Sequence, residues 1–160
     1  MGFKEYKKKR DFKKTSEPKP VVKGKTQSRF VIQEHYARNL HYDFRLEMAD
    51  EKGKEVVLKS WAVPKNIPVK VGVKRLAIQT EDHPIEYINF SGIVPEGNYG
   101  AGVVNIWDKG RWELMDGILA EGRLIFKLKG SKTKGDYVMI KTRSCGGKAN
   151  NKLNWLIWKK

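Results

Sequence analysis

Between Leu40 and Met48 the chain alternates without a break: Leu40, Tyr42, Phe44, Leu46 and Met48 are apolar or aromatic, whereas His41, Asp43, Arg45 and Glu47 are polar. Successive side chains of a strand leave on opposite sides, so period two predicts a strand with one face in a core and one polar face. Asp50-Glu51-Lys52-Gly53 reads as the turn into a second strand, Val56 to Val63, and Val31 to Glu34 as a segment before the first. Further short strands are predicted at Leu76 to Thr80, Leu124 to Leu128, Tyr137 to Lys141 and Asn154 to Trp158. Val103 to Trp107 and Arg111 to Leu114 flank Asp108-Lys109-Gly110, which predicts a hairpin, and Met115 to Glu121 reads as a single helical turn. Gly92 to Gly102, with four glycines and a proline, reads as an irregular loop. Short strands with almost no helical periodicity imply a mainly β fold, a small antiparallel barrel or sandwich with short helical turns.

Charge divides the chain. Residues 1–29 hold 11 Lys/Arg against three acids, residues 130–160 hold eight against one, and the 100 residues between hold 14 of each sign. A neutral body with two basic ends suggests a folded domain that grips a polyanion, nucleic acid above all. Residues 1–28 read as a flexible basic arm and residues 29–160 as a single barrel domain. No segment has the length of a membrane span or the apolar core of a secretory signal, and the arm lacks the wide apolar stripe of a membrane-surface helix. Cys145 is the only cysteine, so a disulfide or cysteine zinc site within the chain is excluded. The expected location is cytoplasmic and nucleoid-associated, and any metal must be held by His and carboxylate.

His35, His41 and Asp43 are the candidate ligands. On a strand, residues 41 and 43 point to one side roughly 7 Å apart, close enough to share an ion, and a bend at Arg38-Asn39 would return His35 beside His41. Two imidazoles and a carboxylate leave positions open for water and substrate. Arg45 continues the same face, where a guanidinium can clamp phosphate bidentately. His83 could bind phosphate or protonate a leaving oxygen, and Tyr87 could donate a hydroxyl. The residues alone leave three readings open beside ordinary surface polarity: a metal-dependent phosphoryl hydrolase, a non-catalytic barrel that binds single strands or ends, and a non-haem iron oxygenase.

The stretch from Gln33 to Glu47, QEHYARNLHYDFRLE, closely resembles the 3′-phosphoesterase domain of bacterial DNA ligase D. Leu58 to Lys65, Glu81-Asp82-His83-Pro84, Gly92 through Tyr99-Gly100-Ala101-Gly102, and Trp107-Asp108 follow in the family's order, and Arg10 to Thr15 with Glu17-Pro18 looks like its N-terminal arm motif. The resemblance spans about residues 10–158. It implies a small β-barrel enzyme that uses Mn2+, with Co2+ or Zn2+ as substitutes. Its substrates would be DNA or RNA/DNA primer–template 3′ ends, from which it removes a terminal ribonucleoside and then the 3′-phosphate, leaving 3′-hydroxyls for non-homologous end joining. It implies His35, His41 and Asp43 as metal ligands, and Arg45, His83, Lys65 and Arg75 as contacts to phosphate or supports of the reaction. Gln33 and Tyr87 would line the site, and Arg10, Asp11 and Glu17 would act from the arm. Ligase, polymerase and Ku-like partners would be separate proteins. The loop from Asp50 to Val56 is longer than the turn expected there, which alters a surface hairpin and not the chemistry.

Overall fold

The computed structural model describes residues 3–18, 26–142 and 153–160. Cys145 and Pro20 lie outside them. The strands are β1 (Arg29–Tyr36), β2 (Leu40–Ala49), β3 (Val56–Val63), β4 (Lys74–His83), β5 (Gly92–Val94), β6 (Gly102–Ile118), β7 (Arg123–Gly130), β8 (Lys134–Lys141) and β9 (Asn154–Lys159). They pair antiparallel in the order β1-β2-β3-β4-β9-β8-β7-β6-β5, and a β1–β6 pairing closes eight of them into a barrel, with β5 outside on the free end of β6. Closure removes the exposed edges that an open sheet of this length would present.

β6 makes the closure possible. The hairpin expected at Asp108-Lys109-Gly110 is absent, and the segment is the middle of one 17-residue strand. Residues 103–111 of β6 pair with β1 and residues 110–118 pair with β7, so the strand passes from one neighbour to the other at the supposed turn. Gly110 serves this close approach: a Cβ there would lie 2.2 Å from the Lys129 carbonyl oxygen. The Asp108 carboxylate accepts the backbone N–H groups of Ser131, Lys132 and Thr133, capping the β7–β8 turn, as well as that of Lys109 beside it. The sequence Asp-x-Gly therefore marks a strand crossing and a distant cap. Two smaller expectations also shift. The helical turn is confined to Leu119–Glu121, a 3-10 turn, and Gly92–Val94 pairs with β6 ahead of the turns at residues 95–101.

The alternation of β2 separates two environments. Phe44 and Leu46 enter the barrel interior with Phe30, Ile32, Trp61, Phe126, Trp155 and Ile157, all at most 1% exposed. The odd positions face outward, yet Asp43, Arg45 and Glu47 are buried too, contrary to a solvated polar face. A second apolar cluster explains this: Val31, Leu58, Ile85, Tyr87, Ile88, Phe90 and Val104 pack outside the barrel wall together with Tyr6. Tyr6 belongs to the short helix α1 (Lys4–Lys8) of the arm, is fully buried, and donates its hydroxyl to the Pro18 carbonyl at 2.6 Å. Five residues cannot sustain a helix alone. Burial of Phe3 and Tyr6 supplies what local propensity lacks, and residues 3–18 are laid over the outer face of β1–β4 by it.

Candidate active site

The outer face of β1–β4 and the arm enclose a pocket of about 280 Å³, lined by Arg10, Glu17, His35, His41, Asp43, Arg45, Glu81, His83, Tyr87 and Tyr99, with Ala62, Thr80 and Gly100. β1 and β2 set its first wall. Their register places His35 opposite His41 and Gln33 opposite Asp43, because the tight link through Arg38-Asn39 folds β2 directly back on β1. The His35 and His41 ring centroids lie 4.7 Å apart.

The three candidate ligands converge. One ligand atom from each of His35, His41 and Asp43 lies within 4.8 Å of the others. His35 Nδ1 is 3.2 Å from Asp43 Oδ2, and His41 Nε2 is 3.3 Å from Asp43 Oδ1. The remaining ring nitrogens are held by backbone carbonyls: His35 Nε2–H donates to Gly100 O at 2.6 Å, and His41 Nδ1–H donates to Asn39 O at 3.0 Å. Each carbonyl holds the outer nitrogen, so the inner nitrogen faces the carboxylate and is the one that would reach an ion. That is the outer-shell pattern by which proteins orient imidazole ligands, so the donor set fits a divalent ion. Asp43 is ready to ligate as an anion. Burial alone would raise its pKa, but the Arg45 guanidinium and hydrogen bonds with His35 and His41 outweigh burial and hold it well below the usual carboxylate range.

Arg45 is buried on the same face. Its Nε donates to Gln33 Oε1 at 2.7 Å, its Nη2 lies 3.5 Å from Asp43 Oδ2, and its plane covers the Tyr87 ring at 4.7 Å. Gln33 is fixed in turn by donating to the carbonyls of Tyr87 and Phe90. Among the described residues, Arg45 Nη1 has no hydrogen-bond partner. A buried guanidinium N–H without an acceptor is costly, and its presence at a pocket is a reason to expect an anionic ligand.

The opposite wall comes from the end of β4, where Pro84 stops the strand and a 3-10 turn, Ile85–Asn89, carries Tyr87 back over it. His83 Nδ1–H donates to Glu81 O at 2.9 Å, leaving Nε2 to accept from Arg10 Nη2 at 3.2 Å. Burial, then the charges of Arg45 and Arg10, push its pKa well below the ordinary value, so His83 is a neutral acceptor rather than the proton donor that its residue type suggests. Arg10 ties the arm down: Nε to Glu17 Oε2 at 2.9 Å and Nη1 to Glu81 Oε1 at 3.1 Å. Tyr87 donates its hydroxyl to Glu17 Oε2 at 2.7 Å.

The structure thus gathers His35, His41, Asp43, Arg45, His83, Tyr87, Arg10 and Glu17 at one pocket, with Gln33 directly behind Arg45. Three expected residues lie elsewhere. Asp11 borders a neighbouring cleft. Arg75 donates to the carbonyls of Lys65 and Asn66, and neither Lys65 nor Arg75 lines the pocket. Sequence reasoning missed Glu81, which sits two residues before His83 on the same side of β4 and pairs with Lys9 and Arg10. Period two around His83 was the signal for it. The Gly100 carbonyl and Tyr99 had none beyond their place in the glycine-rich segment.

The family model described as the DNA Ligase D 3'-phosphoesterase domain matches residues 33–141. The chain is 45% identical over 148 residues to the Multifunctional non-homologous end joining protein LigD of Pseudomonas aeruginosa, covering 89% of this chain and 17% of that protein. It is 48% identical over 141 residues to the Multifunctional non-homologous end joining DNA repair protein LigD of Mycobacterium tuberculosis, covering 86% and 18%. For the Mycolicibacterium smegmatis relative the identity is 44% over 162 residues, covering 94% and 19%. The chain therefore spans less than a fifth of the length of these relatives. With the family model matched over most of the barrel, and these identities carried across nearly the whole chain, the protein belongs to the DNA ligase D 3′-phosphoesterase family.

Proposed function

We propose that this protein is a metal-dependent phosphoesterase that trims 3′ ends of DNA or RNA/DNA primer–templates, removing a terminal ribonucleoside and then the 3′-phosphate for end joining. The observation that carries the reading is a convergent His35–His41–Asp43 set beside a buried arginine whose Nη1 has no partner among the described residues. A metal acceptor next to a positioned cation suits a phosphate ester, whereas an oxygenase needs no unpaired guanidinium. The names of the relatives, with their reference to non-homologous end joining, support the DNA-repair setting.

In this reading His35, His41 and Asp43 hold Mn2+, or Co2+ or Zn2+ in its place. The ion, when bound, polarises a phosphate oxygen and lowers the pKa of its water. The protein's own groups do the rest. Arg45 Nη1 donates to a non-bridging phosphate oxygen and Gln33 keeps the guanidinium in that plane. His83, neutral, accepts a hydrogen bond at Nε2 once Arg10 turns its Nη2 to phosphate. Glu17, carried over the barrel by the docked arm residues 3–18, reaches the terminal sugar, and the Tyr87 hydroxyl orients it. Ligase, polymerase and Ku-like proteins are the expected partners, and the expected setting is the nucleoid. No helix among the described residues is long and apolar enough to cross a membrane.

The test uses two primer–templates, one ending in a single 3′-ribonucleotide and one in a 3′-phosphate, each with Mn2+, with chelator, and with His41→Ala. Metal-dependent loss of the ribonucleoside and of phosphate, abolished by His41→Ala, is the expected result. Binding of both duplexes without change to either, whichever divalent ion is added, would replace the enzyme with an end-binding barrel.

A further inference from the structure

Beside the pocket, and sharing its wall at Arg10 and Tyr99, lies a second cleft of about 400 Å³ between the arm and the glycine-rich segment, bordered by Lys8, Lys14 and Glu96 among others. Lys9 and Arg10 are committed to Glu81, but among the described residues Lys8 and Lys14 pair with no carboxylate, and both are exposed. Tyr99 stands at the boundary with 51% of its surface exposed, although it is a large ring, and Lys9 Nζ lies 4.5 Å from its centroid. An exposed aromatic next to unpaired lysines is the arrangement by which proteins hold single strands, the ring stacking on a base and the cations tracking phosphates. The cleft adjoins the pocket at Arg10 and Tyr99. Continuity argues for its occupant, because a strand whose terminus lies in the pocket can run on into the cleft past Tyr99.

We infer that this cleft is a subsite for the nucleotides preceding the reacting 3′ terminus, with Lys8 and Lys14 on the strand's phosphates and Tyr99 stacked on a base. The inference rests on the phosphoesterase reading for the direction of the strand, but not for the existence of the subsite. The docked arm then does more than cover the pocket. Helix α1 and the residues after it form one bank of the strand's path, so the lysine surplus of the arm acts at defined positions.

The experiment separates the two claims. A fluorescein-labelled eight-nucleotide strand with a 3′-hydroxyl is titrated with the full chain in chelator, where no hydrolysis occurs, across a range of salt. The Lys8→Ala/Lys14→Ala double variant should bind at least about tenfold more weakly and lose about 1.4 from the slope of log affinity against log salt. Tyr99→Ala should weaken binding about tenfold, and Tyr99→Phe, which keeps the ring, should restore it. With Mn2+, KM for an eight-nucleotide 3′-phosphate strand is then compared with KM for a nucleoside 3′-phosphate. The wild-type advantage of the longer strand should shrink by about tenfold in the double variant and persist in Lys129→Ala, on the β6–β7 surface. Wild-type protein that does not bind the strand, or variants that bind within twofold of it, would overturn the subsite. Binding that depends on Lys8, Lys14 and Tyr99 without any hydrolysis would support the subsite and sink the phosphoesterase reading.

Discussion

The two faces of β2 are made by one alternating sequence and both are buried, yet they hold opposite chemistry. Inside the barrel, Phe44 and Leu46 meet only apolar neighbours such as Trp61 and Phe126. Outside, Asp43 and Arg45 are buried among His35, His83, Arg10, Glu17 and Glu81 beneath the arm. The interior lowers the free energy of the fold through burial and packing. The outer face desolvates at least six ionisable groups, an arrangement that seldom adds net stability even when paired. A fold has no need of it. Burial alone therefore does not identify a core, and the charged half of the buried surface is where selection acted for something other than stability.

Trp61→Ala should produce the largest stability change. It removes a fully buried ring from the interior and should lower unfolding free energy by about 3–5 kcal/mol in urea titration. A loss below about 1 kcal/mol would mean that the interior is not the stabilising region. On the outer face the expected effect falls on rate. Arg45→Lys keeps the charge but loses the fork, and should slow 3′-phosphate hydrolysis by about 10²-fold while leaving the denaturation midpoint nearly unchanged. If stability fell and activity held, the contrast between the faces would fail.

A pH series resolves two histidines within the outer face. His83 has a depressed pKa, by burial and then by Arg45 and Arg10, so its contribution to stability is complete above about 6.5 and is lost as pH falls toward the folded value. His41 is shifted the other way, first by its hydrogen bond to Asp43 and against the effect of burial. Its contribution is complete below about 6.5 and is lost as pH rises through its raised value. In chelator, His83→Asn should therefore flatten the decline of thermal midpoint on acidification, and His41→Asn should flatten the decline on the alkaline side. The smallest effect belongs to the exposed Glu113–Lys129 pair on β6 and β7, 3.4 Å apart. Removal of either partner should change stability by under about 0.5 kcal/mol, which calibrates what a charge contributes when it is not buried.

Whether an element could be read in the sequence depended on the range of the interaction that decides it. β2 and β3 follow from local period two and a turn, and both sit where the alternation predicts. The crossing at Gly110 depends on β1, which is far away in sequence, and on the far end of β7, so the local turn signal of Asp108-Lys109-Gly110 misled. His35, His41 and Asp43 could be read because a single hairpin brings them together. Glu81 and the Arg10 clamp could not, since their meeting depends on an arm that docks through Tyr6 and Phe3 across some 70 residues. Lys65 and Arg75 came from resemblance alone, and here the Arg75 guanidinium is tied to the Lys65 backbone away from the pocket.

Everything proposed for the outer face depends on His35, His41 and Asp43 forming a metal site. Calorimetric titration of the chelator-treated chain with Mn2+ addresses this without relying on any substrate, read together with the thermal midpoint. The expected result is one saturable ion per chain, a raised midpoint on binding, and loss of both in Asp43→Asn and His41→Ala. Binding that persists unchanged in both variants, or no saturable binding to the wild-type chain, would contradict it.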